Sequence, residues 1–327
     1  MNARTFTTAT LFTAFAGVVA AGAADSQLLS MVMPDAKVVA GVNVDSAKAS
    51  PFGRYVLTQL QTNNTDLQQL IAFTGFDPTR DVDEVLVATP SAVGGKANGL
   101  VLARGTFDPA LATLAATKGA LTEIYNGITI IESPDQQAGI AFISTSRVAA
   151  GDITNVKAAI DRVGSNPSLP SAVLSQVSQW SGAEDAWVIT TVPLAALAPA
   201  GTATTSGGTA GASPMANPMA GVMQQIQQIA GGVKFGSSVV GTAAIQADNA
   251  ADATQLGNTL QFFVNLMQMQ AQQKNPQAAN LAQAFSINAQ GTTINVTITL
   301  PEAQFQQLFQ MEKKAGIAAP AQVGGRK

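Results

Sequence analysis

Apolar residues along the chain fall at two spacings: every second position over short β-branched runs, and every third or fourth position over runs rich in alanine and amides. The switches between the two mark out the elements. Lys37 to Val44 (KVVAGVNV) is a β-branched run that follows Pro34-Asp35 and predicts a central strand. Ser50-Pro51 sets an N-cap residue before a proline at the first helical position, opening a helix with Tyr55, Val56 and Leu60 near one face. A short helix is expected over Asp66 to Phe73, with Gly75 placed to end it. Asp81 to Ala88 and Leu100 to Gly105 read as two strands joined by the glycine-rich connection Gly94 to Gly99. Asp108-Pro109 then starts a helix whose stripe is Leu111, Leu114 and Ala115.

After Gly119 the spacing shortens. Thr122 to Tyr125, Ile128 to Glu132, Gly139 to Ile143 and Arg147 to Ala150 predict an antiparallel meander, with Asn126-Gly127 as a hairpin turn. Asp152 caps a helix over Ile153 to Val163, and Ser171 to Trp180 forms another. Ala186 to Val192 is a strand, and Met219 to Ile229 reads as a helix with Val222, Ile226 and Ile229 inward. Lys234 to Val240 and Thr242 to Ala247 suggest a hairpin about Gly241. Asp248 or Asp252 opens a long helix ending near Gln273, then Phe285 to Ala289 and Thr292 to Leu300 form a hairpin, and Pro301 begins a last helix.

The order strand, helix, strand, strand, helix, further antiparallel strands, closing helix thus occurs twice. It predicts an α+β protein of two related lobes, each an antiparallel sheet with helices on one face. The first lobe spans 25–165 and the second 166–315, with a flexible Gly/Thr/Ser/Ala/Pro insert at 199–218 and a disordered tail at 316–327. The two sheets either stand apart or join edge to edge.

Residues 1–24 change the picture of where this fold works. Arg4, the apolar run Leu11 to Ala21 and the small residues Ala21-Gly22-Ala23 form a secretory signal peptide, with cleavage after Ala23 or Ala24. The apolar run is shorter than the ~20 residues that span a bilayer, so the mature chain is expected to carry no integral membrane segment. The product is then exported, to the periplasm or the medium, as a monomer or weak dimer. Without Arg4, 16 basic residues stand against 20 acidic ones, a net charge of −4, and no basic cluster exists to hold nucleic acid. The chain contains no cysteine, so no disulfide staples it. It also contains no histidine, which removes the usual general base, the Ser-His and Cys-His pairs and the imidazole metal ligand. No cofactor is implied.

Candidate chemistry is sparse. Asp77, Asp81, Asp83 and Glu84 crowd together but lack the ladder of a calcium loop, and Asp77-Pro78 repeats the capping pattern of Asp108-Pro109. Gly94-Gly95-Lys96 lacks the remainder of a phosphate loop. Glu184-Asp185 reads as a loop or strand cap, and Trp180 and Trp187 as core. One feature exceeds what a single buried face needs: in FFVNLMQMQAQQ (262–273), Phe262, Leu266 and Met269 form a second apolar stripe, suited either to a second packing layer or to a partner surface.

The run TGFDPTRDVDEVLVATP followed by GLVLARGTFD (within 74–108) resembles exported bacterial families of unknown function that combine a signal peptide with α+β repeats. The resemblance carries no catalytic motif. The expected role is therefore a non-catalytic exported protein that acts as a binding or envelope-associated scaffold, with a protein or envelope partner. The alternative is a histidine-free hydrolase or glycosidase built on paired carboxylates.

Overall fold

In the computed structural model, residues 23–63, 68, 76–90, 99–117, 119–193, 226–274, 284–301 and 304 are described. They open with α1 (Ser26–Met31), β1 (Val38–Asn43), α2 (Val44–Ala49) and α3 (Pro51–Asn63). Next come α4 (Pro78–Asp81), β2 (Val82–Thr89), β3 (Leu100–Gly105), α5 (Ala110–Thr117) and the meander β4 (Leu121–Tyr125), β5 (Ile128–Glu132), β6 (Ala138–Ser144) and β7 (Arg147–Asp152). The remainder is α6 (Ile153–Asp161), α7 (Ser171–Ala183), β8 (Ala186–Thr190), β9 (Ile226–Lys234), β10 (Ser238–Ala247), α8 (Ala250–Lys274), β11 (Phe285–Gln290) and β12 (Thr293–Pro301). Residues 1–22 of the leader, the helix read at 66–73 apart from residue 68, the glycine connection at 94–98, the insert at 199–218, most of the last helix and the tail at 316–327 lie outside the described residues.

Local chemistry explains the element ends. Asp152 Oδ1 accepts from the backbone N–H groups of Thr154 (3.0 Å) and Asn155 (3.2 Å), capping α6. Ser50 Oγ accepts from the Gly53 N–H at 2.8 Å at the start of α3. Asn126 and Gly127 sit at φ 50° and 80°, the left-handed pair that a two-residue hairpin requires.

The twelve strands among the described residues form one sheet, in the order β11-β12-β10-β9-β8-β1-β2-β3-β7-β6-β5-β4, and every neighbouring pair is antiparallel. Of the two arrangements open to the halves, the structure has the edge-to-edge join. Its seam is β1 against β8, from Val38 opposite Thr190 to Val42 opposite Ala186. Outward from the seam the strands run β1-β2-β3-β7-β6 on one side and β8-β9-β10-β12-β11 on the other. On both sides a helix follows the third strand, and a later strand returns to pair with that third strand, β7 with β3 and β12 with β10.

The main core lies on the face that carries Val39, Leu86, Leu102, Ile130 and Ile189, under Leu28 and Met31 of α1, Val156 of α6 and Val177 of α7. It draws on both halves, since Trp187, Ile189 and Ala230 belong to it. At the seam the Trp187 indole lies across Gly41, where a Cβ would fall 2.6 Å from Cε2 and Cζ2. The opposite face is covered beyond the seam by α8, with Ala253 and Leu256 on Ile226, Ile245 and Ile294. On that same face in the first half, Val44 and Phe107 pack with Val85, Ala103 and Val148.

Two expectations from spacing are corrected. Residues 226–229, read as the end of a helix, begin β9: Ile229 pairs with Ile245, and its N–H donates to Thr190 Oγ at 2.8 Å. The free edge of β8 and the β10 ladder override the local amide-rich pattern. Gly241 is not a turn. It lies mid-strand in β10 opposite Val233 and Ile298, and the turn comes earlier, after Lys234. Asp185 fixes that earlier turn, because its Oδ2 accepts from the Phe235 N–H at 2.7 Å and its Oδ1 from Lys234 Nζ at 2.8 Å.

Candidate partner surface

Helix α8 is anchored by one stripe and exposes another. Ala253, Leu256 and Val264 are buried against the sheet. Phe262 lies six residues beyond Leu256, and at 3.6 residues per turn this sets it roughly on the far side of the helix, with Leu266 and Met269 following along that side. Phe262 is 61% exposed and Met269 57%, while Leu266 is half-buried. The structure therefore brings the three residues of the second stripe onto one outer face, and no second layer covers them among the described residues.

Several polar groups on α8 bond within the helix itself. The Thr254 hydroxyl donates to the Ala250 carbonyl at 2.8 Å, the Thr259 hydroxyl to the Gln255 carbonyl at 2.9 Å, and Gln261 Nε2 to Asn265 Oδ1 at 3.1 Å. Hydroxyls satisfied within the helix leave methyl groups outward, which lowers the cost of drying this face. A shallow groove lined by Ala251, Thr254, Gln255, Asn258, Thr259 and Phe262 runs along it. Phe262 stands edge-on to Phe263, with ring centroids 6.0 Å apart. Between Asp252 and Lys274 the sequence of α8 carries no charge, so nothing along its middle favours a charged ligand.

A second apolar surface crosses the sheet face opposite the main core. Cross-strand register puts Ile140, Ala150, Val101, Val87, Ala40 and Val188 side by side along one row. Val87, Val101, Val188 and Ile140 are 37–41% exposed, well below Phe262, because neighbours in the row shield one another.

The carboxylates singled out from sequence have structural partners. Asp77 Oδ1 accepts from the Thr79 N–H and hydroxyl, and Asp81 pairs with Arg80, whose guanidinium holds the Asp81 carboxyl below its usual range. Asp83 meets Arg104 at 3.4 Å and Lys48 at 3.8 Å. Glu84 is 8% exposed, and burial pushes its carboxyl above the usual range. Glu184 and Asp185, read as a loop or strand cap, are both buried at the start of β8: Glu184 Oε1 accepts from the Thr242 hydroxyl at 2.6 Å. Trp187 and Trp180 both pack into the main core.

One carboxylate pair was not visible in the sequence, because only the meander register joins it. Glu123 on β4 and Glu132 on β5 come onto one face of the hairpin, near enough for their carboxyl groups to perturb each other, and Lys157 of α6 reaches Glu123 at 2.6 Å. The lysine contact lowers the Glu123 carboxyl, while burial and the neighbouring Glu123 raise that of Glu132. The pair lies on the last two strands of the open edge.

Among the described residues no helix is long and apolar enough to cross a membrane. No protein-family model and no curated protein matches the chain. Among solved structures, the chain is similar to the one titled "Structure of crystal form I of TP0453", with a TM-score of 0.50 and 11% identity over 88% of this chain and 97% of that one. At that identity the likeness shows the fold alone. An aspartate kinase from Synechocystis aligns with a TM-score of 0.17 and 10% identity, over 90% of this chain and 56% of that one, which carries no argument.

Proposed function

We propose that this protein is a non-catalytic exported binding protein, and that it docks a partner protein on the outer face of α8 through Phe262, Leu266 and Met269. The observation that carries the reading is a helix with two apolar stripes, of which the sheet buries only one. Methionine and phenylalanine beside threonine hydroxyls already satisfied within the helix suit an uncharged, apolar partner surface such as a second helix. Because the middle of α8 is uncharged, association should withstand high salt. The leader pattern of residues 1–24 supports export, and the mature chain is then free of the membrane.

The test compares the wild type with a Phe262→Ser, Leu266→Ser, Met269→Ser triple variant as bait in an envelope extract at about 0.5 M salt, where surface charge attraction is largely screened. A specific protein retained by the wild type and lost by a triple variant of unchanged Tm supports the reading. Equal retention by both sinks it.

The carboxylate-hydrolase reading has one observation behind it, the Glu123–Glu132 pair whose proton affinities are pushed apart. Both groups lie on the β4–β5 hairpin with Lys157 paired to Glu123 at 2.6 Å, whereas glycosidase pairs stand roughly 5 to 9 Å apart across a substrate. That geometry favours a surface ion network.

A further inference from the structure

We propose that removal of the leader completes the fold: the amino group freed at Ala24 or Asp25 becomes a charged structural group that neutralises the buried Glu84 carboxylate. This rests on the exported reading above. Ala23 is exposed, and the chain becomes buried within a few residues. The Ala24 N–H donates to Ser181 Oγ at 3.0 Å and the Asp25 N–H to Glu84 Oε1 at 3.0 Å. Both acceptors belong to buried side chains, Ser181 at 4% and Glu84 at 8% exposure. The Asp25 carboxylate caps α1, and Leu28, Met31, Val32 and Met33 beyond it are in the main core. The small-residue pattern that marks the cleavage point thus coincides with the point where the backbone docks.

The charges around this anchor do not balance. Arg104 alone faces three carboxylates, Glu84 at 3.4 Å, Asp83 at 3.4 Å and Asp25 at 3.7 Å. Lys48 assists only at Asp83, at 3.8 Å, and it is shared with Asp45. Among the described residues, two cations thus face four carboxylates. Hydrolysis of the Ala23–Ala24 bond by a secretory signal peptidase consumes one water, leaves a carboxylate on Ala23 and an amine on Ala24, and the amine takes up a proton at neutral pH. The resulting ammonium keeps the bond to Ser181 Oγ and lies one residue from the Glu84 contact. Cleavage after Ala24 places it at that contact itself. An opposite charge within a few ångströms stabilises a buried carboxylate far more than a neutral peptide N–H does.

The experiment compares three forms of the chain: beginning at Ala24 with a free amine, the same chain acetylated there, and a chain extended back to Ala21. The free-amine form should melt about 2–4 °C above both others, with slower hydrogen exchange across α1, and Glu84→Gln should abolish the difference. If Glu84→Gln does not fold, exchange across α1 in the three wild-type forms decides. Equal melting and equal α1 exchange overturn the anchor whatever happens to the leader. Separately, the full-length chain should be recovered outside the cytoplasm with a mass that corresponds to a start at Ala24 or Asp25; retention in the cytoplasm with the leader uncut overturns the exported reading and not the pocket, and a secreted product with any other start overturns the assignment of the freed amine to this pocket.

Discussion

Gly41→Ala strikes the seam on which the single sheet depends. The added methyl would lie 2.6 Å from Cε2 and Cζ2 and 2.7 Å from Nε1 of Trp187, whose ring is buried in the main core. A contact distance near 3.5 to 4 Å requires the indole or β1 to move by about 1 Å. Forcing a methyl into a packed core costs about 1–3 kcal/mol. Alanine at an extended position returns about 0.4–1 kcal/mol through the unfolded chain. The net loss should be about 1–2 kcal/mol, or a fall of about 2–8 °C in Tm. Urea unfolding followed by far-UV circular dichroism measures it. In a Trp187→Phe background, where the second indole ring is gone, the Gly41→Ala penalty should shrink to near zero. A Gly41→Ala protein as stable as the wild type, or a penalty unchanged by Trp187→Phe, would refute the packing of β1 on β8.

Asp185 ties the start of β8 to the β9–β10 turn, so Asp185→Ala leaves the Phe235 N–H unpaired and should cost about 2–4 kcal/mol in urea unfolding. Asp185→Asn, which keeps an acceptor for that N–H, should cost less than half as much; equal losses would contradict the assignment. Glu84 gives a pH signature in a chain that retains residues upstream of Ala24. Its folded pKa is raised, so the associated stability is full below the unfolded value of about 4.3 and is lost as pH rises through the folded value. Glu84→Gln should therefore flatten the decline in Tm between about pH 4 and pH 7, and an unchanged slope would show that the carboxylate is not opposed by burial.

Local signals were legible from the residues alone: the Asp152 cap, the Ser50-Pro51 helix start, the Asn126-Gly127 turn and the extent of α8 all depend on contacts a few positions apart. What the sequence hid depends on distant partners. Ile226 to Ile229 has a helical spacing of apolar residues, yet β8 and β10 offer ladders on both sides and win. Gly241 resembles a turn because glycine is rare inside strands, but here it faces Ile298 across β12, where a Cβ would come within 2.9 Å of that side chain. The burial of Glu184 and Asp185 likewise arises only once β9 and β10 fold beside β8. The second stripe of α8 was visible as an excess of apolar positions, and the structure adds that its outer face is dry of free hydroxyls.

The claim that α8 is a docking face is tested most directly by a photo-crosslinking phenylalanine analogue at position 262 in living cells, with the same residue at exposed Asn295 on the polar face of β12 as control. One discrete protein adduct from 262, absent from 295 and absent when Leu266 and Met269 are both serine, is the predicted result. No adduct from 262, or the same adducts from both positions, would contradict it.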